Sequence, residues 1–393
     1  MTDDAVPSGL EVTVHDSVGA VAPGPWDACV ARVDGGSPFL RHGFLSALED
    51  SRSVGGATGW TPRYLVARAG LERRVVGLAP AFIKTHSMGE FVYDWAWADA
   101  AQRAGLRYYP KLVLAAPFSP VTSRRLLTAP DLSAPARDAV RRALAVAAIE
   151  LARASRCSGV HALFCLEDEV ALLGELGFCH RLGAQFHWEN AGYSDFEAFI
   201  ARFDSKRRNQ IRRERRRVRE AGVEIRSYLG AAVEDRFVRT AHAFYGATVD
   251  RYVWGRRYLN ERFFELLWQR MRPYIHLTLA WQGDAVVGGA LDLQEDDRRW
   301  GRYWGALADI DSLHFEVCAY APIEDAIRTG LARFEAGAGG EHKLGRGFVP
   351  SATHSAHLIF DGRFHDTIAD FCAREATHLR ERMAEAEREV FVR

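Results

Sequence analysis

The chain has 393 residues, 48% of them hydrophobic, 11% aromatic and 26% charged, a balance that excludes wholesale disorder and fibrous architectures. Its 51 basic residues are matched by 51 acidic ones, so a globally basic coat for nucleic acid is excluded while a local patch is not. At roughly 100–200 residues per domain the length points to two domains. Only four lysines (Lys84, Lys111, Lys206, Lys343) stand against 47 arginines. A coding bias toward arginine explains the ratio and makes each surviving lysine worth following.

The opening MTDDAVPSG is acidic and carries no apolar run of the signal-peptide kind. The most apolar stretch, residues 143–152, falls short of the roughly 18–20 residues a membrane span needs. The six cysteines show no CxxC and no framework spacing. The expectation is a cytoplasmic protein with reduced thiols.

In chain order, Val12–Val18 alternates as a half-buried strand, and Ser37-Pro38 opens a helix with Phe39, Leu40, Phe44, Leu45 and Leu48 at helical spacing. Tyr64–Arg68 and Arg74–Lys84 read as a hairpin. Ala134–Ser155 reads as a long helix, Val160–Leu166 as a strand, Glu167–Leu176 as a short helix and Gly183–Trp188 as a strand. The second half repeats the order. Val223–Tyr228 is a strand, and Val233–Thr248 and Glu261–Met271 are helices. His276–Trp281 and Ala285–Leu293 form a hairpin, followed by a strand at Arg299–Ala306, a helix at Phe315–Glu335 and a strand at Glu341–Phe348. Val75-Val76-Gly77 and Val286-Val287-Gly288 fall at the same point of the two hairpins, 211 residues apart. The reading is a duplicated unit.

Between the halves, Ser194–Glu197 reads as a capping box and Gly222 as the stop of the helix it opens. Within that helix, Lys206–Arg219 (KRRNQIRRERRRVR) holds nine positive charges against one glutamate. It would be about 20 Å long. Ile211 and Val218, one heptad apart, leave a single narrow seam for packing. The tail, Asp366–Arg388, reads as a helix with mixed charge.

The order strand, helix, hairpin, strand, helix, strand is that of the GNAT acyltransferase fold, here met twice. The segments SPFLRHGFLSALEDS (37–51), KTHSMGEFVYDWAWADAAQRAGLRYYPKL (84–112), PFSPVT (117–122), QFHWEN (185–190), KRRNQIRRERRRV (206–218), GRYWG (301–305), LHFEVC (313–318) and GEHKLGRGFVPSATHSAH (340–357) resemble the bacterial Fem-like, tandem-GNAT proteins of peptidoglycan biosynthesis or recognition. The resemblance covers nearly the whole chain. It implies an α+β fold of two tandem GNAT-like domains, each a mixed, mostly antiparallel sheet flanked by helices. The expected domains are residues 1–192 and 223–393, the second with the C-terminal helix, joined by an Arg-rich helical connector at 193–222.

The resemblance also implies acyl transfer to an amine, with aminoacyl-tRNA as the donor in Fem-type enzymes and acyl-CoA in ordinary GNAT enzymes. CoA-dependent members carry R/Q-x-x-G-x-G/A before a helix, where backbone N–H groups cradle the pyrophosphate. The corresponding stretch here, ALADIDSLHFEV (306–317), has no glycine, and neither does PFSPVTSRRLL (117–127). The expected donor is therefore aminoacyl-tRNA, held by Lys206, Arg207, Arg208, Arg212, Arg213, Arg215 and Arg216 through its phosphates. No cofactor or metal is expected.

Lys343, in EHKLGRGF, is similar to the lysine of a Phe-Lys strand near the end of Fem-type proteins. There the lysine holds substrate phosphate or stabilises charge at the reacting carbonyl; here His342 precedes it. Attack by an amine calls for a proton acceptor, and Asp94, Glu316 and Asp292 are the candidates. Asp94 stands between Tyr93, Trp95 and Trp97, an apolar setting that would raise its pKa. Trp95, Trp97, Lys111, His187, Trp304 and Arg346 are the candidate substrate contacts. The acceptor is a cell-wall precursor or a small secondary metabolite. Two alternatives keep the fold: a donor on CoA or on an acidic carrier protein docked by the basic helix, and a non-catalytic GNAT relic that binds glycan or nucleic acid.

Overall fold

The computed structural model describes residues 6–30, 35–251 and 256–391. They form two compact units, Met1–Gly183 with Ala352–Leu379, and Ala184–Ser351 with Arg380–Arg393. Both are α+β.

The first unit holds two sheets. One is antiparallel, in the order Glu11–His15, Tyr64–Ala69, Arg74–Ala79, Leu127–Thr128. The other runs from residues 354–359 through Gly159–Cys165, Lys111–Leu114 and Ala81–Lys84 to Trp60–Pro62. The single strand expected over 74–84 is divided between the two sheets at Pro80. Proline has no N–H to give to a ladder.

In the second unit the strands Val223–Leu229, Ile275–Gln282, Ala285–Glu295 and Arg298–Ala306 are antiparallel. Residues 298–300 then pair in parallel with Arg333–Glu335, which pairs with residues 187–189.

Each unit therefore contains a parallel strand pair joined by a crossover helix. In the first unit the helix is Ala134–Ala154, between Lys111–Leu114 and Gly159–Cys165. In the second it spans residues 313–329. The duplicated VVG now has a physical reason. A Cβ on Gly77 would lie 2.5 Å from Val140 Cγ1, and one on Gly288 would lie 2.8 Å from Leu313 Cδ2. In both units a crossover-helix side chain seats on the glycine, and a methyl group there would overpack the contact.

Each unit also takes a strand from the opposite half of the sequence. Residues 354–359 pair with Gly159–Cys165 in the first unit, and residues 187–189 pair with Arg333–Glu335 in the second. Residues 352–379, expected in the C-terminal domain, accordingly belong to the first unit.

Three local expectations are corrected. Glu341–Phe348 is not a strand: Gly340 and Gly347, with φ of 95° and 84°, bracket a tight 3-10 turn at Glu341–Arg346, and the strand runs over Val349–Ile359. The helix expected over Phe315–Glu335 stops at Gly330 (φ 74°), and Glu316–Tyr320 is a π turn. The helix expected from Ser194 to Gly222 is two helices. Asp195 caps Phe196–Ile200, and Asp204, accepting from the Arg207 N–H at 2.7 Å, caps Ser205–Glu220.

Candidate active site

Three of the four lysines are largely removed from solvent. In the first unit Lys84 and Lys111 are register partners on adjacent strands, both fully buried. Like charges set directly opposite are destabilising, and the connection between the two strands supplies the compensation. Lys111 Nζ donates to Ser87 Oγ at 2.9 Å, to Glu90 Oε2 at 2.8 Å and to Asp94; Tyr108 donates to Asp94 Oδ2 at 2.6 Å. Lys84 Nζ donates to the Met88 carbonyl and stands 3.8 Å from the Trp60 ring centroid.

Burial lowers Lys84 to about 7 and raises Glu90 to about 7. Burial also opposes the charges on Lys111 and Asp94, but the neighbouring charges win: Glu90 and Asp94 raise Lys111, and Lys111 lowers Asp94. The expectation of a raised Asp94 is thus reversed. Trp95 and Tyr93 point outward, 54% and 59% exposed, while the carboxylate turns inward to Lys111. Trp97 is buried, its ring edge-on to His357 at 4.9 Å. His357 Nδ1 lies 2.8 Å from His161 Nδ1, and both rings are fully buried.

In the second unit the parallel strands part after residue 300, and the chain beyond Glu335 turns back to carry Lys343. Lys343 Nζ donates to the carbonyls of Ala336 (2.9 Å) and Gly337 (2.8 Å). It is half-buried, with no carboxylate in ion-pair contact among the described residues. Burial lowers it to about 8, with Cys318 acting the other way. Trp304 packs on His314 at 4.3 Å, and His314 lies 5.4 Å from His342. Burial holds His314 near 4, helped by the charges of Arg346 and Lys343. The Cys318 thiol is raised well above its usual value, by burial and then by Asp292, which leaves it a poor nucleophile for an acyl-enzyme route. Asp292 sits within its strand, not at the end, and its Oδ2 is 3.2 Å from His276 Nδ1.

The cationic helix meets this region through Glu214. Ile211, Glu214 and Val218 form its buried face. Glu214 accepts from Arg346 Nη2 at 3.1 and 3.2 Å, from Gln210 at 2.8 Å and from Tyr320 in the π turn. Arg346 also donates to the His342 carbonyl at 2.8 Å and lies 3.3 Å over the Phe315 ring. Arg215 grips Glu316 with contacts of 3.0–3.2 Å and also meets Glu324.

The signature of the FemAB-like family, described as peptidoglycan biosynthesis/recognition, matches residues 17–393. The chain belongs to the FemAB-like family. No curated protein sequence matches it. Among solved structures it is similar to FemX, with 12% identity over 91% of this chain and 100% of that one and a TM-score of 0.53. A conserved protein of unknown function from Bacteroides thetaiotaomicron VPI-5482 gives 11% identity, coverage of 88% and 100%, and a TM-score of 0.51. L-PGS from Bacillus licheniformis gives 9%, coverage of 88% and 96%, and 0.47.

In this FemAB-like chain the candidate residues fall into separate groups. Asp94 and Lys111 share the buried network of the first unit, with Trp97 nearby and Trp95 on the surface. Lys343, Trp304, Arg346, Asp292 and Glu316 belong to the second unit. His187, also there, is buried with Nε2 3.2 Å from Gln185 Oε1, and burial holds it near 3. Of the seven phosphate candidates, Lys206, Arg212, Arg213 and Arg216 are exposed, Arg207 and Arg208 are half-buried, and Arg215 is committed to Glu316 and Glu324.

Sequence reasoning passed over Glu90, His161, His314 and Glu214 as site residues. Only Glu214 left a signal, as the single acid in a basic run. Among the described residues there is no group of three His, Cys, Asp or Glu that could hold a metal ion, and no helix long and apolar enough to cross a membrane.

The buried neutral histidines give a pH prediction. His161 and His187 are held near 3, His314 near 4 and His357 well below 6.5. Their folded values lie below the unfolded one, so their contribution is complete above about 6.5 and is lost as pH falls toward the folded values. Urea unfolding at pH 7.5 and pH 5 should show a lower midpoint in acid. The cost is up to about 1.4 kcal/mol per pH unit for each such histidine.

Proposed function

We propose that this protein is an N-acyltransferase that moves an aminoacyl group from aminoacyl-tRNA to an amine acceptor, a cell-wall precursor or a small metabolite. The observation that carries the reading is Lys343. A lysine held by two backbone carbonyls at the parting of the parallel strands, with no carboxylate in ion-pair contact among the described residues, is suited to stabilising a developing oxyanion. In this scheme the acceptor amine attacks the ester carbonyl and the Lys343 ammonium stabilises the tetrahedral oxyanion. The C–O bond to the ribose then breaks, the amine gives up a proton and the leaving ribose oxygen gains one. Glu316 and Asp94 are occupied by Arg215 and Lys111, so neither is assigned the role of base.

The exposed cations of the helix Ser205–Glu220 support an RNA donor. Arg212 and Arg217 have only exposed partners, Glu197 and Asp311, and such pairs contribute little. Lys206 and Arg213 have no ion pair among the described residues. These side chains are free to neutralise phosphates. The missing glycine loop favours RNA over CoA.

The test is binding to a pool of charged tRNA at two salt concentrations, with acetyl-CoA and an acidic carrier protein as comparators. Salt-sensitive tRNA binding without CoA binding is expected. CoA or carrier binding without tRNA binding would overturn the donor assignment. Replacing Arg212 and Arg213 together by alanine should weaken tRNA binding and lower the slope of log affinity against log salt by up to about 2, with unchanged Tm.

A further inference from the structure

Two of the six cysteines face one another. Cys179 opens the strand Cys179–Glu189, and Cys372 lies on the helix Gly362–Val390. Two residues on along the same face of the strand, Arg181 Nε donates at 2.7 Å to Oε2 of Glu375, three residues beyond Cys372 on the same face of the helix, so the two cysteines stand on facing surfaces. Cys179 also contacts the His357 carbonyl at 3.3 Å. Both pack in one cluster with Trp97, Tyr108, Ile359, Phe364 and Ile368. Cys372 is buried and Cys179 half-exposed, so an outside reagent meets Cys179 first.

We propose that Cys179 and Cys372 are a thiol modification site: a low-molecular-weight disulfide of the glutathione type oxidises them to an internal disulfide. The Cys179 thiolate attacks one sulfur of the small disulfide, forming a mixed disulfide and releasing one small thiolate. Cys372 loses its proton to solvent, attacks Cys179 Sγ and releases the second. Two protein thiols are oxidised and one small disulfide is reduced to two thiols, so electrons and atoms balance.

The local chemistry suits these roles. The nearness of Cys372 lowers the Cys179 thiol, while the same nearness and burial raise Cys372. The more acidic, more exposed sulfur is the attacker, and the buried one is the resolver. Cys318, also half-exposed, has its thiol raised, and Cys157 is raised to about 11 by burial. The cross-link would close a loop of roughly 190 residues, which restricts the unfolded chain strongly. Both cysteines belong to the first unit, so the bond lies within one compact body. This inference does not depend on the proposed transferase activity.

The experiment uses the full chain, reduced and then equilibrated with oxidised glutathione. The readouts are thiol titration, peptide mass spectrometry and thermal unfolding. The expected result is loss of two of the six titratable thiols, a cross-linked peptide pair containing Cys179 and Cys372, and a Tm raised by several degrees. Limited alkylation of the reduced protein should label Cys179 ahead of the other five. Cys179→Ser should abolish the cross-link, and Cys372→Ser should stop at glutathione on Cys179. Retention of all six thiols, a cross-link between other cysteines, a terminal mixed disulfide in the unmodified sequence, or a lowered Tm would each overturn the proposal.

Discussion

Replacing Lys343 with methionine should lower acyl transfer by about 10²–10³-fold, the range for removing one oxyanion donor. Methionine keeps most of the apolar stem and leaves the Ala336 and Gly337 carbonyls without their donor, so a modest fall in Tm will accompany the loss. Activity and unfolding must therefore be measured side by side, with transfer read as label moving from aminoacyl-tRNA to the amine. The pH profile identifies the role. Lys343 is lowered to about 8 by burial, and only its ammonium form can stabilise an oxyanion as a cation. The rate should therefore fall as pH rises through about 8, and Lys343→Arg should move that fall to higher pH. A rate that climbs through the same value would make Lys343 a proton acceptor instead.

The second large effect belongs to the first unit. Lys111→Met should destabilise the fold by about 3–5 kcal/mol at neutral pH, because it strips a fully buried cation from two buried carboxyl groups. Glu90, already raised to about 7 by burial, can respond by taking up a proton. The loss should therefore be smaller at pH 5.5 than at pH 8. A second change, Asp94→Asn, should recover part of the stability. Urea unfolding of the single and double variants at both pH values checks the coupling. Equal losses at both pH values and no recovery would mean that Lys111 acts through packing alone.

Much of the fold was legible because local chemistry and fold agree. The hairpin strands beginning near His276 and at Ala285, the helix Glu261–Met271 and the long helix from Ala134 follow from periodicity, caps and turns. The duplicated VVG was visible as a repeat, although its reason, a glycine beneath a crossover helix, needed coordinates. Lys84, Lys111 and Lys343 stood out by rarity. The cross-strand contact of the first two could not be read, because a long connection separates them in sequence.

What stayed hidden depends on contacts distant along the chain. A π turn at Glu316–Tyr320 has no compositional mark, and such turns are frequent at functional sites. Glu214 reads as a solvated acid until its partners, 106 and 132 residues away, are known. The inward turn of Asp94 contradicts its aromatic neighbours in sequence, because adjacent side chains need not share an environment.

The crossed origin of these two strands bears on how this gene can be cut. A fragment ending near residue 192 would carry an unpaired 187–189 segment and lack residues 354–359 beside Gly159–Cys165. That bare edge is an invitation to pair with other molecules. Each fragment alone should therefore precipitate or remain loosely ordered. Co-expressed halves, by contrast, should find one another and trade their last strands, reassembling as a split protein. During synthesis, Gly159–Cys165 cannot gain its 354–359 neighbour until the ribosome has passed residue 359, so the maturation of that sheet waits on almost the entire message.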